Sequence, residues 1–169
     1  SDETDTAYLM VGTGIGVAAT VGGRMMRGFS SRSGEIERVP INPGMECQTT
    51  LHRHLTEASL IERARKYDPQ VDSVCSIAMN IRQPWAQELV ADFKKYLNFI
   101  IQMVDGICNP YSIILGGTII PQLAPYIKDA LPAGRVIIGE NYEDACVTGA
   151  AMVAIRGGIQ ALINEQIEI

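Results

Sequence analysis

Three glycines stand at alternate positions between two apolar runs near the start of the chain: Gly12, Gly14 and Gly16. Glycine lets a backbone come close to a ligand, and successive N–H groups in such a loop can surround an anion. Thr13, between the first two glycines, adds a hydroxyl donor. The pattern indicates a phosphate-binding loop, but a tight hairpin that binds no ligand has the same glycine-rich composition.

Two common phosphate-binding motifs do not fit this loop. A Rossmann fingerprint needs G-x-G-x-x-G between a strand and a helix, and here Val17 occupies the place of the third glycine. The segment after the loop is rich in β-branched residues and closes on Gly22 and Gly23, which leaves no room for a helix. A P-loop is excluded because no Gly-Lys-Ser/Thr follows. What remains is a strand, a glycine loop and an antiparallel strand.

Apolar periodicity predicts the elements that must position this loop. Strands are predicted at residues 8–11 and 15–21, followed by a turn at Gly22 and Gly23 and a short third strand in "RMMRG". Residues 30–43 have the composition of a loop. Further along, helices are predicted at 50–67, Pro84–Cys108, 121–131 and 147–162, and strands in "YSIILGG" and "RVIIG". A hairpin followed by alternating strands and helices predicts an α/β fold with a mixed sheet.

Composition narrows the class of protein. The chain has 169 residues, of which 47% are hydrophobic and 20% charged, as expected for one globular domain. Its net charge of −5 argues against nucleic-acid binding by this segment. No apolar run approaches the roughly 20 residues that span a bilayer. The four cysteines form no C-x-x-C pair, which favours a reducing, cytoplasmic compartment in which most of these thiols are small core residues.

The order of the motifs resembles a known family. "GTGIG", then "GG", "RG" and "GE", followed much later by "NP", "IILGG" and "GAAMVA", is similar to the C-terminal domain of ROK proteins (repressors, open reading frames and sugar kinases). The resemblance runs over residues 7–154. It implies a ribonuclease-H-like, actin-like ATPase fold with a mixed sheet flanked by helices. It also implies that residues 1–169 are one such domain from a longer, two-domain protein.

The resemblance implies ligands for several residues. Gly12, Thr13, Gly14 and Gly16 match the family's second phosphate loop, which holds the terminal phosphates of ATP with its Mg²⁺. Gly116 and Gly117 match the glycine pair beneath the adenosine; the same pair is also typical of a plain strand-to-helix turn. Glu35 matches the first residue of the family's E-x-G-H motif, where a carboxylate accepts hydrogen bonds from sugar hydroxyls.

The chain departs from the family at its zinc and sugar motifs. Glu37 and Arg38 replace the glycine and the histidine of E-x-G-H, and arginine stays protonated and cannot bind zinc. In the run that matches C-x-C-G-x-x-G-C-L-E, Cys47 is kept and His54 falls on the third cysteine. Two ligands of four do not make a tetrahedral site, so zinc is not expected, although His52 could extend the set to C-x4-H-x-H.

The sequence leaves three functions open. The D-x-G-x-T loop and the N-D pair of the sugar kinases are both absent, so no catalytic residue is predicted in this chain. The first hypothesis is the nucleotide-binding C-terminal domain of a ROK-type sugar kinase, which transfers a phosphoryl group from ATP to a sugar hydroxyl in the intact parent. The others are the sensor domain of a sugar-responsive transcriptional regulator and a degenerate, non-catalytic relative. The resemblance also implies a homodimer and contact with the protein's own N-terminal domain.

Overall fold

The computed structural model describes residues 5–42, 49–139, 144–145, 147–155 and 159. The chain divides into two units, Ser1–Gly139 and Glu140–Ile169. In the second unit, residues 145, 147–155 and 159 are helical, which confirms the predicted helix over 147–155. The rest of that prediction, at 156–158 and 160–162, lies outside the described residues. All elements named below belong to the first unit.

The first unit is built on a five-stranded mixed sheet. Its strands are β1 (Thr6–Val11), β2 (Ile15–Val21), β3 (Arg24–Met25), β4 (Ser112–Gly116) and β5 (Val136–Ile138). The strand order is β3-β2-β1-β4-β5. The first three strands are antiparallel, whereas β1 pairs with β4 and β4 with β5 in parallel. The mixed sheet and the strand–loop–strand start are therefore confirmed, with β3 reduced to two residues.

The turn between β2 and β3 has the chemistry that its glycine pair predicts. Gly22 and Gly23 both have positive φ angles, 59° and 72°, which suit the twist of a two-residue hairpin. The carboxylate of Asp5, just before β1, accepts hydrogen bonds from both of their N–H groups, at 2.6 and 2.8 Å. These bonds, that from Gly23 first, lower the pKa of Asp5 below its ordinary value.

Within residues 49–139, the structure describes five helices, with bounds that partly match the predictions. They are α1 (His52–Leu55), α2 (Glu57–Ala64), α3 (Val74–Met79), α4 (Pro84–Cys108) and α5 (Ile119–Ile127), the last continued by a 3-10 turn at Lys128–Ala130. Helix α4 is confirmed at both ends. The predicted single helix at 50–67 is wrong, because Thr56 is extended and divides α1 from α2. The helix predicted at 121–131 begins at Ile119 instead. The short helix α3 was not predicted.

One face of the sheet and the inner faces of the helices form the core. In β1 the buried positions alternate, so that Ala7, Leu9 and Val11 face the helices while Tyr8 and Met10 lie on the other face. The long helix α4 buries an apolar stripe against the sheet and the other helices: Leu89, Val90, Phe93, Leu97, Ile100, Ile101 and Val104. This packing fixes the strand ends from which the candidate site is built.

Two of the four cysteines lie among the described residues. Cys75 is exposed and Cys108 half-buried, so the prediction of core thiols is wrong for Cys75. That residue follows the buried Val74 in α3 and so points away from the core. Cys47 and Cys146 lie outside the described residues.

In the described part of the chain, no helix combines the length and hydrophobicity that crossing a membrane requires.

Candidate functional site

The glycine loop joins β1 to β2 at the surface. The N–H of Gly12 donates to the carbonyl oxygen of Gly14 at 3.0 Å, which closes the turn. The N–H groups of Thr13 and Gly14 have no acceptor among the described residues, and Thr13 is exposed. Two neighbouring N–H groups and a hydroxyl on this exposed turn can therefore donate hydrogen bonds to an anion without breaking an existing hydrogen bond.

The loop lies against the starts of two helices. The first N–H of α2, that of Glu57, donates to the carbonyl oxygen of Gly12 at 2.9 Å. A Cβ added to Gly12 would lie 2.9 Å from the Oγ1 of Thr118, the residue before α5. The hydroxyl of Thr118 in turn donates to the Glu57 carboxylate at 3.3 Å. Helix starts carry partial positive charge, and neither contact was predicted because both join segments far apart in sequence.

The two predicted glycine motifs meet at one edge of the sheet. Because β1 and β4 are adjacent and parallel, their carboxyl ends lie side by side, with Met10 opposite Gly116 in the register. Thr118, which follows Gly117, is the residue that approaches Gly12. Ligand sites of open α/β sheets lie outside the carboxyl ends of the strands. The structure thus brings Gly12, Thr13, Gly14, Gly116 and Gly117 together.

Protein packing alone accounts for the two glycines at the end of β4, Gly116 and Gly117. A Cβ on Gly116 would overlap with the hydroxyl of Tyr8, and one on Gly117 would overlap with the carbonyl oxygen of Val11. Gly117 also has a φ of 95°, a backbone conformation that residues other than glycine rarely adopt. These contacts explain the pair as an interface between β4 and β1. They supply a reason for glycine that does not depend on a ligand.

Gly16 occupies a different position from the other loop glycines. It lies within β2, opposite Met10 of β1. The nearest atom to an added Cβ is the carbonyl oxygen of Gly34 at 4.0 Å, so the site has room for a methyl group. Gly16 is therefore part of the sheet rather than of the turn.

Glu37 reaches from the following loop to the glycine turn. Its Oε2 accepts a hydrogen bond from the N–H of Ile15 at 3.3 Å, and the same atom lies 2.9 Å from the Cβ position of Gly14. Its Oε1 lies 2.9 Å from the Nδ1 of His52, which must be the donor because a carboxylate only accepts. Sequence reasoning noted Glu37 only as a replaced glycine and missed this carboxylate–imidazole pair.

Glu35 lies in an open cleft with the neighbouring charged side chains. The cleft is lined by Arg32, Glu35, Glu37 and Arg38. The segment is held at two points, since Val17 of β2 donates to the carbonyl oxygen of Gly34 and His52 of α1 to that of Glu37, both at 3.0 Å. The cleft therefore joins the predicted sugar residue Glu35 to Glu37, which contacts the glycine turn.

His54 is engaged by protein groups on both ring nitrogens. Its Nδ1 donates to the Asp92 carboxylate of α4 at 2.8 Å, and its Nε2 lies 3.1 Å from the hydroxyl of Thr49. Its ring packs on that of Tyr96, with centroids 3.8 Å apart. Arg63 of α2 binds the same carboxylate at 2.7 Å. His54 thus connects Thr49, which precedes α1, to Asp92 of α4.

Metal ligands in the described ranges are scattered. No group of three or more histidine, cysteine, aspartate or glutamate side chains is placed there to hold an ion. Cys47, the other predicted remnant of the zinc motif, lies outside these ranges. That zinc does not bind therefore stays a prediction.

Two solved structures with this fold were determined in complex with a sugar, and one of them also with AMPPNP. A ROK family protein from Streptococcus pneumoniae in complex with sucrose matches with a TM-score of 0.78 and 18% identity, over 94% of this chain and 61% of its own. A ROK family glucokinase from Streptomyces griseus in complex with glucose and AMPPNP matches with a TM-score of 0.71 and 18% identity, over 90% and 61%. This chain therefore spans about three fifths of their length.

A regulator shares the fold at greater distance. A ROK family transcriptional regulator, a homolog of the E. coli MLC protein, matches with a TM-score of 0.60 and 20% identity, over 75% of this chain and 37% of its own. These likenesses establish the actin-like ATPase fold of the ROK sugar kinases. No curated protein sequence matches the chain. The family model of the ROK family matches residues 1–156, and the chain belongs to the ROK family.

Proposed function

We propose that this chain is the nucleotide-binding, C-terminal domain of a two-domain ROK protein of the sugar-kinase type. In the intact protein, ATP would supply a phosphoryl group to a sugar hydroxyl, and the general base would come from the N-terminal domain. The observation that carries the proposal is the meeting of the two glycine motifs at the carboxyl ends of β1 and β4. The glucokinase of the same fold, solved with glucose and AMPPNP, supports this choice of ligands.

The residues present fit the phosphates of a nucleotide. The N–H groups of Thr13 and Gly14 and the Thr13 hydroxyl would donate to phosphate oxygens, and the starts of α2 and α5 would add favourable potential. Bound ATP with Mg²⁺ supplies the phosphoryl group and the metal that neutralises its charge. This chain's part is to hold and orient the phosphates. We assign no catalytic residue to it.

Fewer observations support the adenosine site than support the phosphate site. Gly116 and Gly117 lie beside the phosphate loop, but their Cβ positions are already filled by Tyr8 and by the Val11 backbone. The pair therefore keeps the strand ends close together, and any contact with adenosine would use its backbone. Gly16 contributes through its place in β2 rather than through a direct contact with phosphate.

One observation favours a second candidate function, that of a regulator's sensor domain or of a non-catalytic relative. The Glu37 carboxylate accepts from the N–H of Ile15, beside the donors that we assign to phosphate. A negative charge at this place opposes the binding of an anion. In such a protein the domain would bind a sugar at Glu35 and would not transfer phosphate.

Calorimetric titration of the full-length protein with Mg-AMPPNP tests the proposal. We expect saturable binding that Thr13→Val weakens about tenfold by removing one hydroxyl donor. Gly14→Val should abolish binding, because the valine side chain would cover the N–H donors of the turn. The fold should tolerate this change, because the added Cβ meets only the flexible end of the Glu37 side chain. Gly106→Ala in α4 is the matched control, because nothing lies within 4 Å of its Cβ position. Absence of binding by the parent protein would contradict the nucleotide function.

A coupled assay of ADP release separates the two functions. A kinase produces ADP in proportion to an added sugar, and the loss of this rate in Thr13→Val should follow the loss of nucleotide affinity. Sugar binding without nucleotide binding would favour the sensor domain instead.

A further inference from the structure

Four charged side chains line the cleft beside the glycine turn: Arg32, Glu35, Glu37 and Arg38. Their charges are not equivalent. Glu37 is already engaged, since its two oxygens accept from His52 and from the N–H of Ile15. Glu35 is therefore the acidic group in this set that remains available to a ligand.

The two arginines are in a different situation from Glu37. Neither Arg32 nor Arg38 forms an ion pair or a side-chain hydrogen bond within the described ranges, and both are exposed. A guanidinium presents a planar fork of N–H donors that matches the oxygens of a carboxylate or a phosphate. It is also charged at every physiological pH. The cleft thus contains two permanent cations and one carboxylate that no described side chain engages.

The backbone holds this arrangement in place. Gly34 has a φ of 87°, and an added Cβ would overlap with the carbonyl oxygen of Val17, so the segment lies directly on β2. The N–H of Glu35 donates to the carbonyl oxygen of Arg32 at 3.4 Å, and that of Val39 to Ile36 at 3.1 Å. These turns place the side chains on one short segment anchored to the sheet and to α1. Such anchoring lowers the entropy cost of binding.

We propose that the ligand of this cleft is an anionic sugar, a polyol with a carboxylate or phosphate group. Glu35 accepts hydrogen bonds from its hydroxyls, while Arg32 and Arg38 bind its acid group. The inference rests on the proposed function insofar as Glu35 is taken to bind a sugar. It goes beyond that function by naming the substrate class, which the two arginines of the cleft, unpaired within the described ranges, select.

Calorimetry of the full-length protein with three matched probes tests the proposal: glucose, glucuronate and glucose 6-phosphate. We expect at least one acid to bind about tenfold more tightly than glucose at low salt, with this advantage shrinking at high salt. The two acids distinguish a carboxylate from a phosphate as the recognised group. Arg38→Gln and Arg32→Gln should each weaken the binding of the acid about fivefold, and should weaken it more than the binding of glucose. Arg82→Gln, an exposed arginine outside the cleft, should change neither.

The outcomes separate this proposal from the one on which it rests. If glucose binds as tightly as both acids, or if the arginine variants weaken all three sugars equally, the anionic ligand is excluded while a sugar function survives. If none of the three sugars binds but Mg-AMPPNP does, the cleft proposal is overturned and the nucleotide site stands. If Mg-AMPPNP fails to bind as well, the proposed function falls with it.

Discussion

The carboxylate of Glu37 accepts a hydrogen bond from the N–H of Ile15 at 3.3 Å, at the end of the glycine turn. The same side chain binds His52 through its other oxygen at 2.9 Å. A segment that follows β3 in sequence thereby supplies a negative charge to the loop between β1 and β2. This charge bears directly on whether the loop holds phosphate, and it can be removed by substitution.

Glu37→Gln should strengthen the binding of Mg-AMPPNP. Glutamine keeps an oxygen that can accept from Ile15 but removes the charge, and the gain is expected to be about fivefold for a partly exposed group. Calorimetric titration measures it, with Glu88→Gln on α4 as a control that removes an exposed carboxylate outside the site. Weaker binding in Glu37→Gln would instead make the carboxylate a part of the nucleotide site.

Gly117→Ala should destabilise the fold whether or not a nucleotide is present. The methyl group would overlap with the carbonyl oxygen of Val11, and the φ of 95° is strained for alanine. We expect a loss of about 3 kcal/mol in the free energy of unfolding, measured by urea denaturation. Gly16→Ala, with its nearest neighbour at 4.0 Å, should change this free energy by less than about 0.5 kcal/mol. A stable Gly117→Ala protein that fails to bind nucleotide would refute the packing explanation.

Asp92→Asn should destabilise the protein because Asp92 serves two partners. It accepts from His54 at 2.8 Å and pairs with Arg63 at 2.7 Å, with all three side chains mostly buried. Its removal leaves the Arg63 charge without this partner, at an expected cost of about 2 kcal/mol in the free energy of unfolding. The comparison is Glu62→Gln, whose ion pair with Arg53 is 64% exposed on both sides and should contribute less than about 0.5 kcal/mol. Equal effects would show that burial does not matter here.

Asp5→Asn should lower stability at neutral pH but not in acid. Hydrogen bonds from Gly23 and Gly22 lower the pKa of Asp5, so its ionised form is favoured in the folded state. That contribution is complete above the unfolded-state pKa of about 3.9 and is lost as pH falls through the lower folded-state pKa. Urea denaturation at neutral and at strongly acidic pH should therefore show the difference between parent and variant disappearing in acid. A difference that persists below both pKa values would point to a cause other than charge.

Local signals predicted helix α4 and the β2–β3 turn correctly. Pro84 suits the first helical turn, and Asn109 ends α4 in a left-handed conformation. A single residue therefore predicts each end of this helix. The turn at Gly22 and Gly23 is equally local. These features depend on residues next to each other in sequence.

Contacts between distant segments explain the errors. The residues around Thr56 have helical spacing. However, the N–H of Glu57 donates to the carbonyl oxygen of Gly12, and the hydroxyl of Thr56 donates to the carbonyl oxygen of His52. Tertiary contacts thus divide the predicted helix in two. The Glu37–His52 pair and the Asp92–His54 pair were missed for the same reason. The glycine motifs of the site could be found from sequence, whereas the charged groups around them required the fold.

The parallel pairing of β1 with β4 also sets the order in which this protein can fold. Strands β1 and β2 can form their hairpin soon after they leave the ribosome, because they adjoin in sequence. The other edge of β1 must wait for Ser112–Gly116, so Tyr8 meets Ile114 only after all of α4 has been synthesised. Pairings of such long sequence separation are slow and leave strand edges open to aggregation. The glycine turn therefore acquires its neighbour Thr118 only after the segment that follows α4 has been synthesised.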